Sequence, residues 1–152
     1  MTGWRLGYVA APAEIDNAMF KIHQYAMLCA PITSQYAGIE ALSDGFSDGF
    51  SVVEEMREAY DKRRRFVLSS LQEIGLECFE PRGAFYAFPS VKGTGMDSEA
   101  FAERLLKEQK VAVVPGTAFG SFGAENVRLS YATGMAQLNE AFERMSAFMK
   151  KL

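Results

Sequence analysis

Asn126-Val127-Arg128-Leu129-Ser130-Tyr131-Ala132 alternates like a strand with one face in a core. Successive strand residues point to opposite faces, so Val127, Leu129 and Tyr131 share one and Arg128 and Ser130 the other. A guanidinium held on a strand is costly to desolvate unless an anion meets it, and its planar fork suits a carboxylate gripped at two points. Taken alone, Arg128 reads more plainly as an edge-strand arginine with its head in water. After it, Thr133 opens a helix in which Leu138, Ala141, Phe142, Met145, Phe148 and Met149 form one stripe.

Working back from that strand, Val111-Ala112-Val113-Val114 reads as a short buried strand ended by Pro115-Gly116. The loop from Gly116 to Gly123 follows a strand but opens no helix, which argues against a phosphate cradle and for a turn beneath the Arg128 strand. Asp97 is placed to cap a helix bearing Phe101, Leu105 and Leu106. Residues 76–79 and 84–88, joined by Pro81-Arg82-Gly83, read as a hairpin, with Phe85 and Tyr86 in the core or shaping a pocket. Ser51-Val52-Val53-Glu54 has the form of a capping box. It opens a long helix carrying Val53, Met56, Tyr60, Val67, Leu71 and Ile74, with Gly75 as its stop. Lys62 to Arg65 reads as a solvated basic face.

Residues 43–51, rich in Gly, Ser and Asp, read as a linker. Before them come a short helix after Pro31 stopping near Gly45, and a helix after Pro12 carrying Ile15, Met19 and Ile22. His23 falls one position off that stripe, a surface histidine. The chain starts on an expected strand, Trp4 to Ala10, with no lead-in, and so reads as truncated. The expected class is α+β, with helices packed on one small, mostly antiparallel sheet.

The chain has 152 residues, 49% of them apolar, with 12 Phe and 8 Met, a composition for packed globular structure. A net charge of −3 makes no electrostatic case for nucleic acid. Cys29, Cys78 and His23 cannot build a zinc site or a disulfide framework, so both cysteines read as small buried hydrophobes and a cytoplasmic setting is expected. No apolar stretch has the length of a membrane span. Metal and membrane roles are not expected.

A second arginine stands out. Arg5 lies in Met1-Thr2-Gly3-Trp4-Arg5-Leu6-Gly7-Tyr8, where Gly3 and Gly7 leave room for a bulky anion near the backbone. This octapeptide resembles the stretch just after the cofactor lysine of class I/II aminotransferases, the fold-type I pyridoxal-phosphate enzymes. Three further segments resemble that family in the right order. They are Pro81-Arg82-Gly83-Ala84-Phe85-Tyr86, Val114-Pro115-Gly116-Thr117-Ala118-Phe119-Gly120 and Val127-Arg128-Leu129-Ser130-Tyr131-Ala132. The match covers essentially the whole chain and is nearest the aspartate/aromatic branch.

The resemblance implies that Arg5 contacts the phosphate of pyridoxal phosphate and that Arg128 holds the substrate's α-carboxylate. Residues 1–48 would be a remnant of the large cofactor-binding domain, and 49–152 the small C-terminal domain. The parent reaction would move an amino group from an amino acid to a 2-oxo acid, in a homo-oligomer. The family's lysine stands roughly eight residues ahead of Arg5, a position this sequence does not contain, so no catalytic residue is assigned and the chain alone is expected to be inactive. Where many members carry Ser-Asn-Pro, this chain has Cys29-Ala30-Pro31, and nothing is carried over there. The alternative is a non-catalytic module that self-associates or binds a partner through the apolar segment Ile15 to Leu42.

Overall fold

The computed structural model describes residues 1–152 and divides them into two compact units, Met1–Glu55 and Met56–Leu152. No helix is long and apolar enough to cross a membrane.

In the first unit, the expected strand at Trp4–Ala10 does not form. Strands need a neighbour to take their backbone groups, and this segment has none. Instead Thr2–Trp4 makes a single 3-10 turn, with Trp4 N–H donating to Met1 O and Arg5 N–H to Thr2 O. Two helices follow, α1 (Ala13–Ala26) and α2 (Ile32–Asp48), each starting directly after a proline whose fixed φ suits the entry. Ser34 Oγ donates to Trp4 O at 2.8 Å, and Leu6 lies on Gly38, where a Cβ would come within 2.6 Å of Leu6 Cδ2. Trp4 and Leu6 are thereby held against α2.

The expected linker is mostly helix. Gly45 does not end α2, because its missing side chain seats the Phe50 ring: a Cβ there would sit 2.4 Å from Phe50 Cδ1. The helix ends instead at Gly49 (φ 71°), and Phe50 (φ 57°) shares the left-handed turn into α3 (Ser51–Glu73). Ser51 is thus the first helical residue rather than the cap. Its hydroxyl donates to Asp48, and this bond, helped by nearby backbone N–H groups, holds the Asp48 carboxyl below the ordinary carboxylate range.

The second unit holds the core. It contains β1 (Tyr86–Ala87), α4 (Ser98–Gln109), β2 (Val114–Pro115), β3 (Val127–Ser130) and α5 (Met135–Met149). The three strands form one antiparallel sheet in the order β1-β3-β2, with Tyr86 opposite Ser130 and Val114 opposite Arg128. The α+β expectation holds; the hairpin does not. Residues 76–80 form no strand, and β1 pairs with β3 instead. Pairing with the apolar β3 buries Ala87, Val127, Leu129 and Tyr131 together. Asp97 caps α4 as expected, accepting from Ala100 N–H at 2.8 Å. Val67 and Leu71 from α3, Phe101 and Leu105 from α4, and Leu138, Phe142 and Phe148 from α5 close the core over the sheet.

The basic run on α3 is more than a solvated face. Arg64 donates to Asp61 through Nε and Nη2, and to Glu80 through Nη1 at 2.6 Å. The Arg64 hydrogen bond holds each of these carboxyls below its ordinary range. Cys78 is half-buried, and burial pushes its thiol up. Cys29 is exposed, against expectation, in the tight turn after α1.

Candidate functional site

β3 is the centre of the sheet, so Arg128 is not an edge-strand arginine. Its burial pattern alternates as the sequence requires, with Val127 and Leu129 buried, Arg128 partly covered and Ser130 exposed. The guanidinium carbon lies 4.4 Å from the centroid of the Tyr86 ring and 4.6 Å from that of Phe119, over both ring faces. It makes no hydrogen bond or ion pair within the protein. The two rings replace part of the lost solvation by cation–π attraction, each worth about 0.5–2 kcal/mol. The N–H donors stay unspent, which is the condition a carboxylate receptor needs.

Each neighbour has a structural reason to be there. Tyr86 sits opposite Ser130, on the same face as Arg128 and diagonal to it in the ladder. Tyr131 N–H donates to Phe85 O at 2.9 Å and Tyr131 Oη to Ala84 O at 3.1 Å, fixing this register. Phe119 arrives from two successive 3-10 turns, Gly116–Phe119 and Ser121–Gly123. Gly116 and Gly123 meet backbone to backbone at the base of this loop, where a Cβ on either would fall 2.1 Å from the other's carbonyl oxygen. The loop turns beside the Arg128 strand as expected, but no local pattern in residues 116–123 signals that it places a ring on Arg128. The Tyr86 contact was half visible as a pocket-shaping role.

Arg5 lies in the first unit. It is exposed, in the left-handed conformation (φ 53°), and its side chain meets no carboxylate. A Cβ on Gly3 or Gly7 would meet nothing within 4 Å. An unpartnered guanidinium with open backbone on both sides fits an oxygen-rich anion such as a phosphate.

An arginine presented from a central strand of a small α+β domain, with its donors free, has the geometry to receive an anion. The particular family follows from comparison: the chain belongs to the aminotransferases of class I and II, whose family pattern matches residues 1–145. It is 55% identical to YugH of Bacillus subtilis (strain 168) over 151 residues, 99% of this chain and 38% of YugH. It is 49% identical to an aspartate aminotransferase of Pyrococcus abyssi, again over 99% of this chain and 38% of the relative. The solved aromatic aminotransferase of Pyrococcus horikoshii OT3 superposes with a TM-score of 0.84 at 50% identity, covering 99% of this chain and 40% of that one. The chain therefore spans about 38% of the length of the curated relatives it matches.

Proposed function

We propose that this chain supplies the carboxylate-binding and phosphate-binding arginines of a pyridoxal-phosphate-dependent aminotransferase, which moves an amino group from an amino acid to a 2-oxo acid. The observation that carries the reading is Arg128, fixed on the central strand and free of any protein acceptor. Arg128 grips the α-carboxylate at two points, orienting the acid so that its amino-bearing carbon always enters the same way. Arg5 holds the cofactor's phosphate. Pyridoxal phosphate, when bound, supplies the electron sink for breaking a bond at that carbon.

In this reading residues 1–48 belong to the cofactor-binding domain and 49–152 to the small domain, and the enzyme works as a cytoplasmic homo-oligomer. In this reading Arg5 and Arg128 serve binding, and neither is assigned a proton transfer or a covalent step. Calorimetry with pyruvate tests the central claim. The wild-type chain is expected to bind in the millimolar range, and Arg128→Ala to bind roughly ten- to a hundredfold more weakly, the worth of a charge-assisted bond. Equal affinities would remove Arg128 from the site.

A second reading rests on the first unit. No residue of α1 is buried, and Phe20, Ile22 and Tyr25 are 61%, 72% and 90% exposed. Apolar surface of that extent promotes association. A non-catalytic module that self-associates or binds a partner predicts oligomers in light scattering. A strictly monomeric chain would count against it.

A further inference from the structure

The rings beside Arg128 come from both sides of its strand, Tyr86 from β1 and Phe119 from the loop after β2. Each is itself held. Tyr86 leans on Phe85 (4.7 Å between centroids), which stacks on Tyr60 at 5.8 Å. Phe119 meets the edge of Phe88 at 6.1 Å, and Thr117 Oγ1 ties its loop to Glu99 on α4 at 3.0 Å. Ring faces attract the cation without accepting its N–H bonds as a carboxylate would, so they hold the guanidinium and leave its donors for a ligand.

We infer that Tyr86 and Phe119 form an aromatic clamp that makes Arg128 selective for flat carboxylates over tetrahedral oxyanions. This rests on the reading of Arg128 as the carboxylate site. With rings over the guanidinium carbon, an anion reaches it through the in-plane N–H edge. A carboxylate lays both oxygens in that plane. A sulfonate or phosphate must also place an oxygen out of the plane, toward a ring whose negative face repels it. Tyr86 and Phe119 are positioning residues: they touch the arginine and set the direction from which its ligand comes.

Acetate and methanesulfonate carry the same charge and differ in shape, so they separate the clamp from simple charge attraction. In an isotope-labelled chain, the Arg128 Nε–Hε signal is assigned by its loss in Arg128→Lys. It is expected to be shifted by ring currents in the free chain, to relax toward an ordinary position in Phe119→Leu, and to stay shifted in Phe119→Tyr. Acetate is expected to bind the wild-type chain about fivefold more tightly than methanesulfonate, a ratio within the reach of one cation–π contact. That preference is expected to vanish in Phe119→Leu and return in Phe119→Tyr. Phe119 is half exposed, so these variants leave the core intact. Equal affinities for the two anions, or a preference unchanged by Phe119→Leu, would overturn the clamp. A ring-shifted signal with no acetate binding would instead overturn the carboxylate reading beneath it, and the selectivity with it.

Discussion

Replacing Phe101 by alanine is expected to cost the second unit about 3–5 kcal/mol, a large part of the roughly 5–15 kcal/mol that holds a domain folded. Phe101 has no exposed surface, and its ring meets that of Phe148 edge to face at 5.5 Å. Truncation removes the ring's burial, leaves a cavity between α4 and α5, and strips Phe148 of its partner. Neighbours that are already close-packed cannot collapse fully into the gap. Urea unfolding measures the loss. Phe122→Ala is the matched control, since that ring is fully exposed, and its midpoint is expected to stay within about 0.5 kcal/mol of wild type. A Phe101→Ala chain losing less than about 1 kcal/mol would mean that the core is not organised around this ring.

How far such elements could be read in advance depends on where their information lies. The stripe on α5, the Asp97 cap and the alternation in β3 are local patterns, and each formed where periodicity or capping chemistry put it. Choice of partner is not local. Residues 76–79 have the composition of a strand beside 84–88, yet β1 pairs with a segment some forty residues further on, because that pairing buries Ala87 and Leu129 together. Gly45 likewise takes its role from a contact outside its own helix pattern. In sequence it marks a helix end, whereas in the fold it is a gap filled by Phe50. The site divides likewise. Arg128 announces itself by standing on an alternating strand. Phe119 is one apolar residue in a glycine-rich loop, and only the folding of that loop brings it to the arginine.

That folding is the basis of the last expectation. Gly116→Ala is predicted to lower the thermal midpoint of the second unit by roughly 10–20 °C, the equivalent of about 2–3 kcal/mol in a domain this size. A Cβ at 116 would stand 2.1 Å from Gly123 O and 2.5 Å from Asn126 O, both backbone atoms that cannot rotate away. Nor can the loop simply open. Gly116 N–H donates to Asn126 O at 2.8 Å and Asn126 N–H to Gly123 O at 2.9 Å, so parting the strands at this point breaks the pairing that leads into β3. Gly83→Ala provides the contrast, because a Cβ there would meet nothing within 4 Å, and its melt is expected to match wild type. The same distortion moves Phe119, so Gly116→Ala should also release the Arg128 signal toward its ordinary position even below the melting range. A Gly116→Ala chain that melts with the wild type would show that the two backbones at 116 and 123 do not touch. Phe119 would then keep only its contact with Phe88 and the Thr117–Glu99 hydrogen bond to hold it over the arginine.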